Sequence, residues 1–166
     1  MYQVQFTAAN DGEFYDKLLH NASFLFNLER DCLANMSNAA AMVGLNMPRL
    51  NWAGFYLWRE EQLILGPFWG KPACTRIAAG SGVCGTAVST GQAQLVADVH
   101  LFPGHIPCDD ASLSEMVLPF WDAAGKLLGV FDLDAPELSR FSESDREGMT
   151  RFLQLLVTAS DWTVLS

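Results

Sequence analysis

Residues 115–121 and 126–134 are two apolar, strand-like runs separated only by the turn Asp122-Ala-Ala-Gly125, a pattern that predicts a β-hairpin. A second pair, 50–58 and 63–68, is joined by the short polar turn 59–62, and the first of these runs is rich in aromatics, as strands are. Shorter strands are expected at 75–78 and 94–97. Hairpin-type connections dominate, so the sheet is expected to be mostly antiparallel. Two helices, 13–28 and 30–44, come first; in the second, Cys32, Leu33, Met36, Ala40 and Val43 recur at helical spacing. Gly80-Ser-Gly82 leads into a short helix over 83–90 that Gly91 ends. Ser142, with Asp145 three residues on, caps a last helix whose core face is Met149, Phe152, Leu153, Leu156 and Ala159. The order α-α-β-β-β-α-β-β-β-α predicts one α+β domain over 1–166, a central sheet with helices packed on it. Residues 98–114 read as a long irregular loop, a length that in compact domains is usually functional or disordered.

Half of the 166 residues are apolar and 17% are charged, a globular composition. The net charge of −9 repels phosphate backbones and speaks against a nucleic-acid partner. Residues 1–10 lack the basic and apolar segments of a signal peptide. No apolar stretch approaches the ~20 residues a membrane helix needs. A cytoplasmic protein is expected, and in that reducing compartment structural disulfides are uncommon. The four cysteines therefore call for another explanation.

Cys32 sits at an apolar helical position and reads as a buried core thiol. Cys74 follows Pro72-Ala73, Cys84 lies at an expected helix N-terminus in Gly82-Val-Cys-Gly-Thr86, and Cys108 lies in the long loop in His105-Ile-Pro-Cys-Asp-Asp110. None of the three is expected on the apolar face of a regular element. They are small loop residues, or zinc ligands together with His100 or His105, or redox thiols. The gaps between them are far from the close ligand pairs of structural zinc sites. A helix N-terminus favours the thiolate, which points to a lowered pKa at Cys84. Cys108 faces the opposite influence from Asp109, Asp110 and Glu115. Crowded carboxylates raise one another's pKa, so such a site suits a shared proton better than a resting thiolate.

Two more acids stand out. The run 127–134 is apolar until Asp132 and Asp134, which alternate onto one face with Leu128 and Val130. Either the strand frays there and both are solvated, or they form a site, since burying unpartnered acids is costly. On 50–58, Trp52, Gly54 and Tyr56 share one face, and Asn51, Ala53 and Phe55 the other. Two aromatics flanking a glycine make either ordinary core packing or a shallow apolar bay fitted to a methyl or thioether group.

Taken in order, Asn51-Trp-Ala-Gly-Phe-Tyr56, Leu65-Gly-Pro-Phe68, Gly82-Val-Cys-Gly-Thr-Ala87, Asp98-Val-His100, Gly104-His-Ile106, Cys108-Asp109, Ser114-Glu-Met-Val-Leu-Pro119 and Phe141-Ser-Glu-Ser-Asp145 resemble the free methionine-R-sulfoxide reductase family, a branch of the GAF fold. The resemblance runs from about residue 13 to residue 160. It implies a nucleophilic Cys108 that becomes a sulfenic acid, resolution by Cys74 as a disulfide, and Cys84 as an auxiliary thiol. Thioredoxin would then reduce the disulfide, with no bound cofactor or metal. Trp52 and Tyr56 would hold the methyl end of free methionine-R-sulfoxide. Glu115, Asp132 and Asp134 would bind the sulfoxide oxygen through a proton, or the α-ammonium. The family also implies a homodimer. Ser81 and Pro107 depart from its usual pattern, and so does a turn at Ala123-Ala124 that is one residue longer. The alternative within the same fold is a nucleotide-sensing module without catalysis, which leaves the three loop cysteines without a role.

Overall fold

The computed structural model describes residues 5–106 and 109–165. Helices α1 (Asp11–Phe26) and α2 (Cys32–Asn46) are followed by strands β1 (Trp52–Arg59), β2 (Gln62–Gly70) and β3 (Arg76–Ala78). Helix α3 (Gly82–Thr90) and strand β4 (Gln94–Val96) come next, then β5 (Ser114–Trp121), β6 (Leu127–Ala135) and helix α4 (Glu143–Ala159). The six strands form one antiparallel sheet in the order β3-β2-β1-β6-β5-β4. The expected elements are all present, with ends shifted by one or two residues. The expected loop 98–114 contains one short 3-10 turn, Val99–Leu101, which Asp98 caps through the His100 N–H.

Local chemistry explains the helix starts. Asn10 accepts from the Glu13 N–H and Asp31 from the Ala34 N–H, each satisfying a donor the helix leaves free. Ser142 and Asp145 form the expected reciprocal capping box. Asp145 does more than cap. It is buried, and its carboxylate also accepts from Tyr15 Oη at 2.7 Å and from Arg140 at 3.1 Å, tying α4 to α1. Gly91 ends α3 at φ 65°.

The sheet divides two apolar layers. On one face, α1, α2 and α4 cover Ala53, Phe55, Met116, Leu118, Phe131 and Leu133. On the other, α3 lies over Trp52, Tyr56, Val117 and Val130. Three sequence expectations are corrected. Leu33 on α2 is 53% exposed rather than a core position, because the buried stripe runs through Cys32, Met36, Ala39, Ala40 and Val43. Leu128 does not share a face with Val130. Pairing steps from Phe120–Gly129 to Trp121–Leu127, so Leu128 is the extra residue of a bulge and packs into the opposite core. Asn51 lies outside β1, and its side chain goes to the loop side, not with Ala53 and Phe55.

The β1–β2 hairpin turns through Glu60 and Glu61, both at positive φ (52° and 59°). A two-residue hairpin needs that backbone to match the strand twist, and two glutamates are an unusual choice for it. Farther along, Gly54 pairs with Phe68 but Tyr56 with Leu65, so β2 carries an extra residue at Gly66-Pro67. Proline in a strand is confined to such irregularities because it cannot donate to the ladder.

Candidate active site

Strand register assembles the site. On the α3 face, Asp134 of β6 lies between Trp52 of β1 and Glu115 of β5. One step on, Asp132 lies between Gly54 and Val117. Side-chain alternation thus puts the three acids and the two aromatics on one surface. The strand does not fray at its end: β6 runs through Ala135, and Glu115 and Asp132 are each 6% exposed. Asp134 keeps a partial opening to the pocket above.

Helix α3 brings Cys84 down onto these acids. Its Sγ donates to Glu115 Oε1 at 3.9 Å, and Cys84, Glu115 and Asp132 place a ligand atom each within 4.8 Å of one another. Cys84 is on the inward face of the helix with Val83 and Ala87, which bears out its place at the helix start but corrects the expectation that it lies off the apolar face of a regular element. The helix N-terminus does not make it a thiolate. Burial, with Asp132, Glu115 and Asp134 adding repulsion, pushes its pKa well above the ordinary thiol value. Desolvation wins because the half-charge at a helix end cannot offset the cost of burying a thiolate away from water.

The acids are displaced the same way. Burial pushes Asp132 up to about 7, with hydrogen bonds from Cys84 and Glu115 pulling it part of the way back. Burial raises Glu115 well above the carboxylate range, and the charges of Asp132 and Asp134 raise it further. Asp134 is raised by burial, then by Asp132 and Asp109. The cluster therefore holds protons at neutral pH, as the crowding of acids in the sequence suggests.

The aromatic wall is locked. Trp52 stacks on Phe68 (centroids 5.5 Å apart) and on Tyr56 (5.9 Å). Its Nε1 donates to the Lys71 carbonyl, and Tyr56 Oη donates to the Cys74 carbonyl, each at 3.0 Å. Both strand residues thus hold the segment that carries Cys74. Gly54 is not an empty bay: the Trp52 indole folds over it, and a Cβ there would meet Trp52 Cη2 at 2.4 Å and Phe68 Cβ at 2.5 Å. Gly54→Ala is expected to cost about 1–3 kcal/mol through overpacking, read from the urea midpoint. An unchanged midpoint would show that the indole is free to move.

Cys74 is half-buried beside the pocket and disulfide-bonded, whereas Cys32 and Cys84 are free. Cys108 lies outside the described residues. The residues bracketing positions 107 and 108, Ile106 and Asp109, both line the pocket. Asp109 is anchored there, accepting from the Ala111 N–H at 3.0 Å, from Asn51 at 3.4 Å and from Lys71 at 3.3 Å. Its carboxyl lies below the usual range, chiefly because of the Ala111 N–H and then Lys71. Asn51 also donates to Ser112 Oγ at 3.0 Å, pinning the far side of the loop. Sequence reasoning missed Asn51, Lys71 and Ser112, because nothing local says which loop their polar ends reach. His105 lines the pocket, while His100 is exposed and paired with Asp98. Among the described residues, the ligand-type atoms that converge are those of Cys84, Glu115 and Asp132, a different set from the cysteines and histidine considered for zinc.

The GAF domain model matches residues 12–159. Protein YtsP of Bacillus subtilis is 45% identical over 161 residues, 96% of this chain and 98% of that protein. The free methionine-R-sulfoxide reductase of Escherichia coli is 44% identical over 147 residues, 89% of this chain and 88% of its own length. The X-ray structure of free methionine-R-sulfoxide reductase from Neisseria meningitidis in complex with its substrate superimposes with a TM-score of 0.90 at 35% identity, covering 96% of this chain and 95% of that one. The chain belongs to the GAF domain family and, within it, to the branch of the free methionine-R-sulfoxide reductases.

Proposed function

We propose that this protein reduces free methionine-R-sulfoxide to methionine, with Cys108 as nucleophile. The observation that carries this reading is the proton-holding cluster of Glu115, Asp132 and Asp134 beneath a locked indole, in a pocket flanked by Cys74, Cys84 and the chain on either side of 107–108. Cys108 sulfur attacks the sulfoxide sulfur while the acid cluster protonates the departing oxygen. The departed hydroxide then attacks the Cys108 sulfur and breaks the transient bond between the two sulfurs, so that Cys108 becomes a sulfenic acid and methionine leaves. Cys74 thiol displaces that oxygen as water and forms the Cys74–Cys108 disulfide, with Cys84 as the auxiliary thiol. Thioredoxin dithiol then reduces the disulfide and is itself oxidised. No bound cofactor is needed, because both electrons come from thiols. A carboxyl near pKa 7 suits the proton transfer, being able to give and regain a proton at neutral pH. Trp52 and Tyr56 receive the methyl end, and whichever acids do not hold the sulfoxide oxygen receive the α-ammonium.

A nucleotide-sensing role leaves Cys74, Cys84 and Cys108 without a function, which weighs against it. Among the described residues no helix is long and apolar enough to cross a membrane. As the family resemblance implies, the working unit in this reading is a homodimer, and its compartment is the cytoplasm expected from the sequence. The purified protein, given a thioredoxin system, is expected to consume free methionine-R-sulfoxide stoichiometrically with thioredoxin oxidation. Peptide-bound sulfoxide is expected to react at least about tenfold more slowly, since a pocket shaped for a free ammonium leaves a peptide bond unaccommodated. Equal rates on both, or no consumption of the free amino acid, would sink the reading.

A further inference from the structure

One soft donor and two hard ones meet at the pocket floor. Cys84 Sγ and an oxygen from each of Glu115 and Asp132 lie within 4.8 Å of one another, with Sγ 3.9 Å from Glu115 Oε1. Tetrahedral zinc, with bonds of ~2.3 Å to sulfur and ~2.1 Å to oxygen, sets those two ligand atoms about 3.6 Å apart. The side chains are thus within about 0.3 Å of ligating distance for that pair. Each donor sits on a regular element, α3, β5 or β6, so the three are held together without a ligand. Asp132 adds an independent sign: it is 6% exposed, yet its Oδ1 is buried without a hydrogen-bond partner. A buried oxygen left unsatisfied needs a donor or a cation, even though Cys84 and Glu115 hydrogen-bond elsewhere on the same carboxyl. An all-oxygen cluster would suit magnesium or calcium, but a thiol among the donors selects a borderline-soft ion.

We propose that Cys84, Glu115 and Asp132 form a three-ligand site for a zinc-class divalent cation, and that the bound ion blocks the pocket. The three ligands line the same pocket as Trp52 and Asp134, where the substrate would sit. On binding, the Cys84 thiol and the protonated carboxyls release their protons to solvent, the metal forms one bond to sulfur and two to oxygen, and no electrons move. The ion replaces the shared protons as the counter-charge of the cluster. It also withdraws Cys84 from thiol exchange. The blocking, unlike the binding, rests on the reductase reading given above.

The test uses the full chain, reduced and then freed of reductant. Zinc chloride is titrated by calorimetry in two buffers of different ionisation enthalpy, and cobalt chloride by absorption. The expected result is one zinc per chain, proton release, and a near-ultraviolet cobalt–thiolate band, with magnesium chloride giving no binding. Cys84→Ser is expected to remove the band and weaken zinc at least about tenfold, and Asp132→Asn, which keeps the thiol, to weaken zinc about tenfold. Absence of one-to-one binding, or binding unchanged in both variants, would overturn the site. In a single-turnover arm, methionine formed by the reduced protein alone is expected to fall with zinc in competition with the sulfoxide, and to recover with chelator. Zinc binding that leaves this turnover intact would overturn the blocking. Turnover without zinc binding would sink the site and leave the reductase reading standing; zinc binding by a protein with no turnover would do the reverse.

Discussion

Cys108→Ser is expected to lower turnover of free methionine-R-sulfoxide by at least about 10³-fold, because a serine hydroxyl is neither ionised nor nucleophilic enough at neutral pH to attack sulfur. The fold should be unaffected, since Ile106 and Asp109 are held by their own contacts to the pocket. The decisive measurement pairs steady-state rates with peptide mapping of the parent after one turnover without reductant. A Cys74–Cys108 link is expected. Full turnover by Cys108→Ser, or no link to Cys108 in the parent, would rule out the mechanism. The two outcomes are independent, because the first reads the attack on sulfur and the second reads the resolution that follows.

Asp132→Asn is expected to separate activity from stability. The amide keeps the shape of the carboxyl but cannot deliver a proton, so kcat/KM should fall about 10²-fold or more. Stability should move the other way. In the unfolded chain this acid ionises near its ordinary 3.8, whereas burial holds it near 7 in the folded protein. Between those values the unfolded chain has given up a proton that the folded chain still binds, so the folded state loses ground as pH rises. At about 1.36 kcal/mol per unit, the penalty grows to at most ~4 kcal/mol by pH 7 and stays constant above it. Below pH 4 it is absent. The amide variant escapes it, and should melt about 4–8 °C above the parent at pH 8 if half of that penalty is recovered. At pH 5 the gap should narrow sharply. Equal melting at pH 8 would mean that the surrounding groups, Cys84 and Glu115 first among them, already compensate the carboxylate.

Much of the fold was legible from local chemistry. Ser142 marks a helix start because its side-chain oxygen satisfies an otherwise free N–H, whereas the caps Asn10 and Asp31 escape the sequence pattern, which starts the first two helices at 13 and 30. The short turns dictated antiparallel neighbours, and all five strand pairings are antiparallel. Where reading failed, a nonlocal or cumulative effect had intervened. Leu128 changed face because one extra residue opposite Phe120 and Trp121 breaks the two-residue period. Asn51 was assigned by alternation to a strand that begins one residue later.

The candidate site divides along the same line. Strand alternation alone puts Asp132 with Asp134 and Trp52 with Tyr56, because each pair lies on one strand and obeys its pleat. That much the amino-acid order determines. Only the tertiary structure brings Glu115 opposite Asp134, lowers Cys84 onto the acids, and folds the Trp52 indole over Gly54. The protonation of the site belongs there too. A helix N-terminus is readable in sequence and argued for a Cys84 thiolate, yet the thiol keeps its proton. Its pKa is set by desolvation and by three carboxylates from two other strands, and that sum exists only once the chain has closed around it.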